Sequence, residues 1–174
     1  MASSFSLPAT LNPPLAGRDA VADAMYRCAV AWDTNDQALF DSTFLPDGVF
    51  LVNGRPLTGL SEIHSTGLAL IFAVDTTHFV TNLRVTMKVG AGEAAGAAGN
   101  EKEASLTATV FVQHFAGGKG MEADQPSLMS GSLYRGELVE DSDGLWKFKR
   151  LAIKATWVEG DWGVVGGKFH EAKE

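Results

Sequence analysis

The sequence predicts an α+β domain, with helices first and a curved, mostly antiparallel sheet after them. Three observations carry this. Apolar residues recur at helical spacing up to about residue 33 and again between about 61 and 72. From residue 76 the period falls to two, over four long runs. Helical segments therefore precede strand segments instead of alternating with them, which indicates an antiparallel sheet with its helices on one face.

The elements follow in order. Met1 to Leu15, with Pro8, Pro13 and Pro14, reads as an extended arm over 1–17, without the basic end and apolar stretch of a secretory signal. Val21, Ala24, Met25, Cys28, Ala29 and Trp32 form one apolar face, predicting a helix from about Arg18 to Asp33. A short helix from Asp36 follows, with Thr34 or Asn35 as its cap and Leu39, Phe40 and Phe44 as its buried side. Pro46-Asp47-Gly48 reads as a turn, Val49 to Val52 as a short strand and Asn53-Gly54 as a hairpin or loop signal. A third helix runs from about Ser61 to Phe72. The four long strands are Thr76–Val89, Ser105–Phe115, Ser130–Glu140 and Leu145–Val158, the last entered through Asp143-Gly144. Gly90 to Glu103 and Ala116 to Pro126 read as long hairpin loops. The main domain spans 18–161, and 162–174, with its glycines, is expected to close the cavity as a lid. A strongly twisted sheet with helices on its concave side leaves a natural pocket between the layers.

Composition narrows the function. The 174 residues fit a single domain, and the 45% hydrophobic and 20% charged fractions suit a globular core. A formal net charge of −7 argues against nucleic acid and against anionic membrane surfaces. Cys28 stands alone, so no intramolecular disulfide forms and the cytoplasm is the expected compartment. His64, His78, His114 and His170 lack short metal-ligand spacing, and no Gly-rich phosphate loop lies between a strand and a helix, so neither metal nor cofactor is expected.

Four stretches carry a resemblance. They are AVAWDTNDQALFDSTFLPDGVF (29–50), the helix start GLSEI (59–63), THFVTNLRV (77–85) and GSLYRGELVEDSDGLWKFKRL (131–151). In this order and spacing the chain resembles the SnoaL-like family of the nuclear transport factor 2-like superfamily, closest in kind to scytalone dehydratase-like dehydratases, cyclases and isomerases. The resemblance implies a cone-shaped, mixed but mostly antiparallel sheet around a central cavity, a cystatin-like α+β barrel. It implies that Asp33 and His78 form the catalytic pair, with His114 as a second cavity histidine. Trp32 stands where scytalone dehydratase carries a tyrosine, and the Asn and Ser of that enzyme's last-but-one strand have no clear counterpart.

The residue types suit this chemistry. Strand alternation puts His78, Val80, Asn82 and Arg84 on one face. A carboxylate on one imidazole nitrogen fixes the tautomer and leaves the other nitrogen to exchange protons. Such a pair suits proton abstraction beside a carbonyl, followed by elimination, isomerisation or ring closure. The bland reading is that Asp33 caps a helix and His78 fills the core. His114 is either a second acid or a strand-end residue. Tyr134 and Asn82 are candidate donors to an oxyanion. Trp32, Tyr26, Phe50 and Trp157 are candidates for the substrate wall, and Arg150, on one face with Lys154, could bind an anionic group. The expected ligand is a small apolar cyclic metabolite, a polyketide or terpenoid intermediate. The alternatives are an epoxide-opening hydrolase or cyclase using the same pair, and a non-catalytic binding module. The outer sheet face is expected to pair with further copies as a dimer or trimer.

Overall fold

The computed structural model describes residues 5–88 and 102–166. Helix α1 spans Gly17–Thr34 and ends where Asn35, at φ 54°, donates its N–H to the Ala31 carbonyl. Asparagine tolerates this left-handed conformation better than other residues with a Cβ. Helix α2, Gln37–Asp41, is capped by Asp36, whose carboxylate accepts from Leu39 N; the cap is thus one or two residues beyond those expected from sequence. Strand β1, Phe44–Val52, takes Pro46-Asp47-Gly48 into the strand as an irregularity. The Asn53-Gly54 turn joins β1 to a strand not anticipated from sequence, β2, Arg55–Thr58.

The third helical stretch is continuous but not uniform. Helix α3, Gly59–Glu62, passes into a π-helical turn, Ile63–Leu68, and then into α4, Ala69–Ile71. The long strands are β3 (Val74–Lys88), β4 (Glu103–Ala116), β5 (Ser127–Glu140) and β6 (Trp146–Gly160), close to the ranges read from the alternation. A 3-10 turn follows at Trp162–Val165. Most of the first expected loop, and the tail beyond Gly166, lie outside the described residues. The second loop is tied down by Asp75, whose carboxylate accepts from Gly118 N and Gly120 N.

The six strands form one sheet in the order β2-β1-β6-β5-β4-β3. All pairings are antiparallel except β1 with β6, so the sheet is mixed, as expected. Its concave face packs on α1, through Val21, Ala24, Met25, Cys28, Ala31 and Trp32, and on Phe40 and Phe44. Arg27 is buried in the same helix; it pairs with Asp23 and donates to the carbonyls of Ser42 and Trp146, which satisfies the charge locally.

Register breaks keep the concave face apolar where simple alternation would fail. In β3 the pairing with β4 shifts between Thr81 and Arg84, at Asn82 with φ 50°. Inward residues are His78 and Val80 before the break and Leu83, Val85 and Met87 after it. In β6 the pairing with β5 skips Lys149 and Thr156, which leads the inner row from Phe148 to Leu151 and Ile153, and from Ala155 to Val158. Each break adds one residue and flips the face on which the following side chains lie.

Gly136 on β5 sits under this packing. A Cβ there would come within 2.5 Å of the Phe148 ring and 3.1 Å of Leu106 Cγ. Gly136→Ala is expected to destabilise the fold by about 1–3 kcal/mol through overpacking. The check is urea unfolding, read as a lower midpoint with unchanged slope.

Candidate active site

Asp33 lies in the last turn of α1, where the helix crosses β3. Its carboxylate holds His78 twice: Oδ1 lies 2.6 Å from Nδ1, and Oδ2 accepts the backbone N–H of His78 at 2.9 Å. The His78 side chain is 4% exposed and that of Asp33 22%. A carboxylate can only accept, so Nδ1 donates at this contact and Nε2 is the nitrogen left for a substrate. Trp32 packs on the His78 ring at 4.8 Å between centroids and stacks on Phe50 at 5.9 Å.

His78, Trp32 and Phe50 border a cavity of about 100 Å³ between the sheet and the helices. His114 of β4 enters it with its ring 6.0 Å from that of His78, nearly perpendicular. Ser130, Ser132 and Tyr134 follow one another at alternate positions of β5 and line it with hydroxyls. Phe50, Val112, Leu128, Ile153 and Val158 supply apolar wall, Gly67 of the π-helical turn lies against the opening, and Trp162 and Val165 of the 3-10 turn cover one side. Among the described residues no Lys, Arg, Asp or Glu lines the cavity. Among the described residues no group of three His, Cys, Asp or Glu is placed to hold a metal ion, and no helix is long and apolar enough to cross a membrane.

The surroundings divide the ionisable groups. Burial, and then the neighbouring His78 ring, push the His114 pKa down to about 4, against a smaller opposing effect of Asp33. Burial pushes the Tyr134 phenol well above its ordinary range and does the same to the Cys28 thiol. Tyr134 thus stays a hydrogen-bond donor and Cys28 a core thiol.

The structure brings together Asp33, His78, His114, Tyr134, Trp32 and Phe50. It does not bring in the other candidates. Asn82 is exposed and its amide points to Thr109 Oγ1, because the bulge at this residue turns it away from the His78 face. Tyr26 is 47% exposed on the outer side of α1, beside Arg18 and Leu83. Trp157, also 47% exposed, lies on the convex sheet face against Phe111 and over Gly131. Arg150 is exposed on that same convex face, since the skipped Lys149 reverses the alternation. Sequence reasoning passed over Ser130 and Ser132. Their spacing of two from Tyr134 was the available signal, and they give the last-but-one strand the polar positions it had been thought to lack.

Fold and site together define a helix-covered β-cone with an imidazole–carboxylate pair beside a cavity that no other charged side chain among the described residues lines. Residues 13–152 match the SnoaL-like domain, and the chain belongs to the SnoaL-like family. It is 41% identical over 162 residues to terrestric acid biosynthesis cluster protein E of Penicillium crustosum, covering 92% of this chain and 97% of that one. Solved structures share the fold at low identity. A Novosphingobium aromaticivorans protein assigned as a scytalone dehydratase superposes with a TM-score of 0.63 at 20% identity, over 83% of this chain and 87% of that one. The hexachlorocyclohexane dehydrochlorinase LinA-type3 of Novosphingobium barchaimii gives 0.60 at 18%, over 84% and 90%. A Caulobacter vibrioides protein with a cystatin-like fold gives 0.59 at 19%, over 81% and 90%.

The low pKa of His114 has a consequence for stability. An unfolded-chain histidine protonates near 6.5, whereas this ring in the fold protonates only near 4. Between these values the unfolded chain binds more protons, so the ring's contribution is intact above about 6.5 and falls as the pH drops toward 4. Urea unfolding at pH 7.5 and pH 5 is expected to show a larger loss on acidification in the wild type than in His114→Gln. An equal loss in both would contradict the neutral, buried state of the ring.

Proposed function

We propose that the protein is a cofactor-independent lyase or isomerase, of dehydratase or cyclase type. Its substrate is a small cyclic polyketide or terpenoid intermediate of secondary metabolism. The observation that carries this reading is the Asp33–His78 pair at 2.6 Å, beside a cavity that no other charged side chain among the described residues lines. The relative in the terrestric acid biosynthesis cluster supports the secondary-metabolite context.

In this reading His78 Nε2 takes a proton from carbon beside a carbonyl, and Asp33 stabilises the imidazolium that forms. Negative charge then gathers on the carbonyl oxygen, where the Tyr134 hydroxyl donates to it. The His78 imidazolium then returns that proton, to the departing hydroxyl in an elimination or to carbon in an isomerisation, while His114, held neutral, donates a hydrogen bond to the substrate oxygen. Trp32 and Phe50 hold the apolar part of the ring system, and the serine hydroxyls of β5 orient its oxygens. Among the described residues no cation lines the cavity, which favours a neutral substrate over a carboxylate or phosphate ester, because an anion there would lose its hydration without a partner.

The test uses a panel of small cyclic β-hydroxy ketones and lactones, assayed for water loss and for uptake of solvent deuterium beside the carbonyl. Asp33→Asn and His78→Ala are each expected to lower turnover by about two to four orders of magnitude. Full turnover in both variants would refute the acid–base role. Product carrying oxygen from labelled water would place the reaction among hydrolyses.

A further inference from the structure

Among the described residues, two buried side-chain atoms have no hydrogen-bond partner: Thr76 Oγ1 and His114 Nδ1. They belong to residues directly opposite each other on β3 and β4, so both side chains rise from the same face of the sheet. Directly opposed residues have Cβ atoms about 4.5–5.5 Å apart, within reach of a hydroxyl–imidazole hydrogen bond after rotation of the threonine side chain. Buried polar atoms without partners are rare, and two of them side by side call for one explanation.

Neither Asp33 nor His78 provides it. Both carboxylate oxygens of Asp33 are engaged by His78, one by the ring and one by the backbone. His78 meets His114 nearly edge-on at 6.0 Å between centroids, and its Nδ1 faces Asp33. A neutral imidazole must carry its proton on one nitrogen and a lone pair on the other, and the partner of one nitrogen decides which. Nδ1 of His114 is sealed off, which leaves Nε2 as the nitrogen for the cavity that the ring lines.

We propose that Thr76 is the positioning residue of His114: its hydroxyl donates to Nδ1 and thereby places the ring proton on Nε2, toward the substrate. The two cavity histidines then stand in opposite tautomers, set by different partners on β3 and α1. Asp33 gives His78 a bare Nε2, which takes a proton. Thr76 gives His114 an Nε2–H, which donates a hydrogen bond. The cavity thus holds a proton acceptor and a fixed hydrogen-bond donor on facing rings. This deepens the acid–base reading above and rests on it for its catalytic part; the tautomer itself does not.

The experiment records ring nitrogen–proton correlation spectra of the intact protein, in wild type, Thr76→Val and Thr76→Ser, at neutral pH. Rates of water loss are measured on the same samples. The wild type is expected to show His114 as the Nε2–H tautomer. Thr76→Val keeps the side-chain shape, moves the His114 signals toward a tautomer mixture and lowers kcat about tenfold with a smaller change in KM. Thr76→Ser restores both, which a purely structural role for the threonine would not require. A wild-type His114 protonated on Nδ1, or His114 signals unmoved in Thr76→Val, would overturn the proposal. Moved signals with unchanged kcat would support the hydrogen bond and count against His114 as a donor to the substrate.

Discussion

The carboxylate of Asp33 joins two layers of the fold at the point where chemistry is possible. It lies at the end of α1 and binds both the backbone and the ring of one residue on β3. The backbone contact fixes where the helix meets the strand, and the ring contact fixes how the imidazole stands. Trp32, its neighbour on α1, covers the same ring, so the helix supplies both the partner and the roof of His78. Moving α1 by one residue along β3 would separate all three contacts. The concave sheet supports this arrangement only because its inner row stays continuous through the breaks at Asn82, Lys149 and Thr156.

Electrostatics inside the cavity follow from how little charge the wall contains. One imidazole has a carboxylate beside it and the other does not. The second, buried and facing the first, is pushed far enough down to remain neutral at ordinary pH. Tyr134 keeps its proton for the same reason, since burial penalises the phenolate. One sheet therefore presents a proton acceptor and two proton-bearing donors without a metal ligand set among the described residues. The apolar surroundings strengthen each of these interactions, because water does not compete for them.

Much of the fold was legible because hydrophobic period is a long-range signal. The switch from helical to alternating spacing located α1 and all four long strands, and β4 alternates without interruption from Ala104 to His114. Asp33 and His78 were legible only through the family resemblance, since a lone helix-end Asp and a strand His have no spacing that links them. What failed was parity. Asn82 was placed on the His78 face by unbroken alternation, and it sits at a register break that no periodic pattern announces. Tyr26 and Trp157 show the reverse error: an aromatic side chain was read as wall, but the helix and the bulged strand turn both outward. The π-helical turn at Ile63–Leu68, which brings Gly67 to the cavity, likewise leaves the apolar spacing of a helix almost unchanged.

The central claim is that Asp33 sets the proton on His78. Its most direct measurement is the ring nitrogen spectrum of His78 in the intact protein, with no substrate involved. The expected result is a proton on Nδ1, seen as a far-downfield resonance from the short contact to Asp33, and an unprotonated Nε2. A proton found on Nε2, with Nδ1 bare, would mean that the carboxylate does not direct this ring, and the base at the heart of the site would be lost.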